Sequence, residues 1–203
     1  MANWCSTSYV IEGDSETLQI IANAVSDCMN GKVEIAENSS KSWEGNTLHQ
    51  LGIEVCKGND IRGFFSELPR LEDGVLKLYA EEAWNRTDFA ELLYTKYPEI
   101  QIYWMAIEPG FYIYETSDVD GKYFQDRYYV DSCVNGDCQS EYFKTSRGAY
   151  EWIEEISGCR TEEEIEDWNE RYKSKGDYIF INKIKKVHYN KYHEIDYEKY
   201  LFD

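Results

Sequence analysis

IQIYWMAIEPGFYIYETSD, residues 100–118, is the stretch whose reading decides the fold. Both halves are rich in aromatic and β-branched residues, the types that fit a pleated surface. Between them, Glu108-Pro109-Gly110-Phe111 puts Pro at the second and Gly at the third turn position, the pairing a type II turn demands. Strands over about 100–107 and 111–117 are predicted, joined as a hairpin. Side chains alternate across a strand, so Ile102, Trp104 and Ala106 line one face and Tyr103, Met105 and Ile107 the other. Both faces are apolar, and each requires cover.

Working upstream, DFAELLYTKY (88–97) places Phe89, Leu92, Leu93 and Tyr97 in a helical stripe, with Asn85 or Thr87 as its cap and Pro98 as its stop. VLKLYAEEAW (75–84) alternates as a strand does. Nearer the start, Trp4–Glu12 reads as a strand and Gly13-Asp14-Ser15 as a turn. Leu18, Ile21, Ala22, Val25 and Cys28 then follow at helical spacing until Asn30-Gly31. Trp4 and Cys5 are thus the first residues of a strand. Residues 31–70 read as an irregular insertion with room for one short strand or helix. Downstream, Asn135-Gly136 within 126–145 is the strongest two-residue hairpin signal. Helical patterns follow at 146–157 and 161–175, the second opened by the capping box Thr161/Glu164. A strand is predicted within 178–189, and the tail from Asn190 carries no clear pattern. The class is α+β with a mostly antiparallel sheet.

The order strand, helix, insertion, strand, helix, strand, strand, entered through Met1, Asn3, Trp4 and Cys5, resembles the YubB/Api92-like proteins. Glu81, Glu82 and Trp84 before the second helix, the YPEI step (97–100) and the Glu108-Pro109-Gly110 turn also match. The resemblance covers roughly residues 1–120. It implies a ferredoxin-like α/β sandwich and a setting on plasmids, phages or conjugative elements, but no established activity and no catalytic residues. The division expected is a core over 1–145, containing the insertion at about 31–70 and the hairpin at about 126–145, and an acidic, mainly helical extension over 146–203 packed on that core.

With 203 residues, 16% of them aromatic, the chain can bury a core without metal or disulfide. Its net charge of −18 disfavours binding nucleic acid through phosphates and favours basic partners or cations. No apolar run is long enough to cross a membrane. The start lacks the basic and apolar regions of an export signal. A cytoplasmic location with mostly reduced cysteines is therefore expected.

Chemical motifs are sparse. Phosphate-binding glycine loops and a Gly-x-Ser-x-Gly elbow are missing from the sequence, and no cofactor is implied. His193-Glu194 begins a zinc-protease pattern that ends on Tyr197 instead of a second histidine. His188 and His193, five apart, share no helical face. A calcium loop aligned on Gly121 uses Thr116, Asp118 and Asp120 but puts Arg127 where a bidentate acid belongs. Glu81 and Glu82 point to opposite faces of their strand and form no dyad with each other. Cys133 and Cys138 face each other across the predicted hairpin at a non-hydrogen-bonded site. Three states stay open for them: a reduced pair, a disulfide formed on oxidation, or half of a thiolate metal site.

Tyr103, Met105, Tyr112 and Tyr114 can form an aromatic platform, a surface used elsewhere for base stacking. The charge argues against that use, and the C-terminal helices with Trp152, Ile153, Ile156, Ile165 and Trp168 are expected to cover it. The functional expectation is a non-enzymatic protein that binds a basic host protein through acidic helices. The alternative is a small-ligand binder or enzyme with a pocket between sheet and extension, lined by Trp84, Tyr112 and Tyr114.

Overall fold

The computed structural model describes residues 3–37, 39–190 and 192–196. Met1 of the N-terminal motif and Tyr197 of the histidine motif lie outside them. The chain divides into two compact units, Met1–Val119 with Lys186–Asp203, and Asp120–Lys185.

The first unit opens with β1 (Trp4–Glu12), whose alternation buries Cys5, Thr7, Tyr9 and Ile11 and leaves Trp4 and Ser6 exposed. Helix α1 (Ser15–Met29) starts where the Asp14 carboxylate accepts the Thr17 amide at 2.9 Å, and it buries the predicted stripe Leu18, Ile21, Ala22, Val25 and Cys28. Gly31 takes the positive φ (65°) that lets the chain leave the helix. Within the insertion lie α2 (Glu44–Gln50) and two three-residue strands, β2 (Gly63–Phe65) and β3 (Arg70–Glu72). Then come β4 (Val75–Ala83), α3 (Phe89–Lys96), β5 (Gln101–Glu108) and β6 (Ile113–Thr116).

The strands run β6-β5-β1-β4, with β2 and β3 placed one after the other along the far edge of β4. Their pairings are antiparallel. Because β1 lies between β4 and β5, those two are parallel to each other and α3 connects them. By the same logic β1 and β3 are parallel around β4, with α1 in the connection. Leu18, Ile21, Val25, Leu48, Phe89 and Leu93 from the helices form one cluster with Tyr9, Ile11, Leu76, Leu78, Ile102 and Trp104 of the sheet. At the end of the chain, the Val187 amide donates to the Thr116 carbonyl at 2.8 Å, bringing Val187 into this core.

The 108–111 turn differs from expectation. Gly110 keeps an ordinary φ, and Pro109–Phe111 is one 3₁₀ turn whose amides at Gly110 and Phe111 donate to the Glu108 carboxylate. That carboxylate favours successive amides pointing the same way. The left-handed conformation passes to Tyr112 (φ 58°), which therefore leaves the strand.

The second unit holds β7 (Tyr128–Val134), β8 (Asp137–Phe143), α4 (Ser146–Ser157), α5 (Glu162–Tyr172) and β9 (Tyr178–Lys183), in strand order β8-β7-β9. Asn135 and Gly136 both have positive φ (54° and 80°), as a type I′ hairpin turn requires. Val130, Ala149, Ile153, Cys159, Ile165 and Ile179 make a separate hydrophobic cluster, with Trp152 and Trp168 packed against it. The structure therefore breaks the chain between Val119 and Asp120, where the sequence reading placed the break at 145/146. The reason lies in β9: it pairs with β7, so the 126–145 hairpin and the helices share one sheet. From sequence, the apolar side chains of α4 and α5 are expected on the tyrosine-bearing face of the first sheet. The structure gives them a sheet of their own.

Candidate functional site

Parity along β4 puts Glu82 on the same side as Leu76, Leu78 and Ala80, facing the helices, and it is fully buried. Glu44, the first residue of α2, is delivered to the same place and is also fully buried. Trp43 sets that position: its indole N–H donates to the Ile61 carbonyl at 2.9 Å while its backbone bridges to Phe64. Thr87, in the turn after β4, stands between the two acids. Its hydroxyl oxygen is 2.7 Å from Glu44 Oε2 and 2.9 Å from Glu82 Oε1. The Tyr9 hydroxyl donates to Glu82 Oε1 at 2.7 Å, and the Thr7 hydroxyl contacts Glu82 Oε2. Glu44 Oε1 has no hydrogen-bond partner among the described residues and sits over Gly63, where a β-carbon would come within 2.6 Å of it.

Burial, then the charge of Glu82, pushes the Glu44 carboxyl well above the usual carboxylate range. The same two causes raise the Tyr9 phenol and push the Cys5 thiol up to about 12. The Tyr9 phenol and the Cys5 thiol are thus held in their neutral forms.

A charged network adjoins the pair. The Arg86 guanidinium is bidentate to Glu91 (2.8 and 2.6 Å), donates to the Thr87 carbonyl at 2.6 Å and lies 4.4 Å from the Trp104 ring centre. The Tyr189 hydroxyl donates to Glu91 at 2.7 Å and accepts the Trp104 indole N–H at 3.0 Å. Burial opposes the charge of Glu91, yet Arg86 outweighs it and holds that carboxyl below its usual range. An open groove of about 780 Å³ lies between the loop at Glu34–Glu37 and α2, with Ile35, Trp43, Ile53 and Val55 as apolar walls and Glu34, Glu37 and Glu54 among its polar ones.

The sequence-derived candidates fall on separate features. Trp84 follows β4 at φ 67°, with its amide on the Asn3 carbonyl and its ring under Arg62. Tyr112 is 76% exposed, whereas Tyr114 is buried on β6 opposite Ile107. None of the three lines the groove. Cys133 and Cys138 stand opposite each other in the β7–β8 register, and their sulfurs are joined in a disulfide. Among the described residues, no group of three or more His, Cys, Asp and Glu could hold a metal ion. The His193 ring stacks on Tyr94 at 3.8 Å, and the Arg127 guanidinium lies beside Gly121 of the candidate calcium loop.

Sequence reasoning missed the Glu44–Glu82 pair. Strand spacing sets Glu82 only against its neighbour Glu81. The parity of Glu82 with three apolar residues was a usable sign of a buried acid; Glu44, from the insertion, gave none. No protein-family model matches the chain, and no curated protein or solved structure matches it.

Proposed function

We propose that the protein acts without catalysis, by presenting the acidic surface of α4 and α5 to a basic protein partner. The observation that carries this reading is the sorting of side chains on those helices. Ala149, Ile153 and Ile165 turn into the core of their own unit, while Glu151, Glu154, Glu155, Glu162, Glu163, Glu164, Glu166, Asp167 and Glu170 are all exposed. Glu163, Glu166, Asp167 and Glu170 fall three and four residues apart on α5, where like charges repel by a few tenths of a kcal/mol per pair. A basic partner removes that repulsion. Such a face also mimics the charge of a phosphate backbone, which fits a partner that itself binds DNA.

The setting on a plasmid, phage or conjugative element rests on the resemblance to YubB/Api92-like proteins. The strand order of the first unit, with its two interleaved strand–helix–strand connections, supports the ferredoxin-like reading behind it. The test is retention of proteins from a bacterial lysate on the immobilised chain. Partners should elute as salt rises and be missing from the E162Q/E163Q/E166Q/D167N variant; if no salt-sensitive partner is retained, the reading fails.

The groove beside α2 favours a second reading, in which the first unit binds a small organic ammonium compound. Trp43 and the apolar walls suit its hydrocarbon part, and Glu34, Glu37 and Glu54 its charge. A thermal shift with alkylammonium and arylammonium compounds, lost in Trp43→Ala, tests it.

A further inference from the structure

We propose that Glu44 and Glu82 hold a single proton between them through the Thr87 hydroxyl, and that this proton latches the α2 segment onto the sheet and lets it go as pH rises. The hydrogen count requires that proton. Thr87 Oγ1 lies within hydrogen-bond distance of an oxygen of each acid, at 2.7 and 2.9 Å, but a hydroxyl has one hydrogen to donate. If both acids were ionised, one of these contacts would set lone pair against lone pair. With one acid protonated, both are satisfied: the acid donates to Thr87, and Thr87 donates to the carboxylate. The oxygen can still take the long approach of the Phe89 amide at 3.4 Å.

The proton belongs on Glu44. Glu82 already accepts from two further hydroxyl groups, Tyr9 and Thr7, so its oxygens are occupied as acceptors. Glu44 has Thr87 as its one hydroxyl neighbour and meets the Glu82 carboxylate itself, while its other oxygen is buried without a hydrogen-bond partner among the described residues. The titratable and charged groups facing the pair are Cys5 and Tyr9 on β1 and Arg86 after β4. The first two are held neutral, and Arg86 is engaged by Glu91, so none can neutralise a second anion.

Removing the proton leaves two carboxylates together out of water. The less costly escape is outward movement of α2, which exposes Leu48 and Leu51 of the core. Glu44 binds its proton more tightly in the closed form than in the open one. The closed form is therefore fully favoured below the open-form value of about 4.3. It is weakened as pH rises from there to the raised closed-form value.

Amide exchange of residues 43–53 in the intact chain, corrected for intrinsic rates, reads this directly. The opening constant should rise tenfold per pH unit across that window and then level off. In Glu44→Gln, whose amide can donate to Thr87 in place of the acid, the slope should vanish. A flat wild-type profile, or an undiminished slope in the variant, overturns the proposal. Infrared spectra of the wild type give a second readout that needs no variant. A buried protonated carboxylic acid band should persist above the pH at which exposed carboxylates have lost their protons and fade as exchange accelerates, and lack of that band also overturns it.

Discussion

Gly63 shows how tightly the buried pair is held. A β-carbon there would lie 2.4–2.6 Å from the Glu44 carboxyl atoms, and Glu44 cannot swing away without leaving Thr87. Gly63→Ala should therefore cost about 1–3 kcal/mol, the usual penalty of overpacking, seen as a lower urea midpoint at unchanged m-value. An unchanged midpoint would mean that the carboxyl relaxes freely. Arg86 makes the complementary case. It is 10% exposed at its side chain and Glu91 27%, so replacing it by Met strands a poorly hydrated carboxylate and should cost about 2–4 kcal/mol. The pH dependence has a definite sign. Glu91 is depressed when folded, so its contribution is present above about pH 4.3 and lost as pH falls through the folded value. Urea midpoints measured down the acid limb should fall more gently in Arg86→Met than in the wild type. Glu44 and Glu91, both in the first unit, thus tilt stability with pH in opposite directions.

The elements that short-range chemistry specifies were the ones legible in the sequence. Asp14 caps α1, and Thr161 Oγ1 accepts the Glu164 amide at 3.2 Å while the Glu164 carboxylate reaches back to the Arg160 amide. Asn135-Gly136 forces its hairpin because both residues adopt positive φ. The Pro109-Gly110 turn misled because its outcome depends on Glu108, one residue earlier, whose carboxylate captures the next two free amides. The assignment of α4 and α5 to the first sheet failed for a longer-range reason: the pairing of β9 with β7 is set across 45 to 55 residues and leaves no local mark. The same hairpin supplies a prediction. Cys133 and Cys138 close a loop of only a few residues, so the loss of chain entropy they impose on the unfolded state is small, about 2 kcal/mol at most. Replacing both by Ala, or reducing the bond, should increase opening of the β7 and β9 amides by no more than about 30-fold in hydrogen exchange. Complete loss of protection would mean that the disulfide is the main support of that unit, and its core of Val130, Ala149, Ile153, Ile165 and Ile179 a minor one.

At the scale of the whole chain, the dominant fact is an excess of 39 acidic over 21 basic residues. Ion pairs do not cancel it. Lys32–Asp27, Arg147–Glu151 and Lys173–Glu170 are exposed pairs, each contributing less than about 1 kcal/mol and weakened by salt. Salt therefore acts in two directions, loosening these pairs and screening the repulsion among the remaining carboxylates. The second effect should win, because it scales with a net charge of −18 and includes the row on α5, whereas the pairs are few and weak. Raising ionic strength from 0.01 to 0.15 M shortens the screening length from about 30 to about 8 Å, close to the spacing of charges on one helix face. Relief of about 1 kcal/mol would raise the melting temperature by about 2–4 °C in a chain of this size. Scanning calorimetry at the two salt levels should show that rise. Glu163→Lys/Asp167→Lys, which breaks the row on α5, should melt higher at low salt and respond less to added salt. Equal salt responses in variant and wild type would place the repulsion elsewhere on the surface and remove the energetic reason for α5 to seek a basic partner.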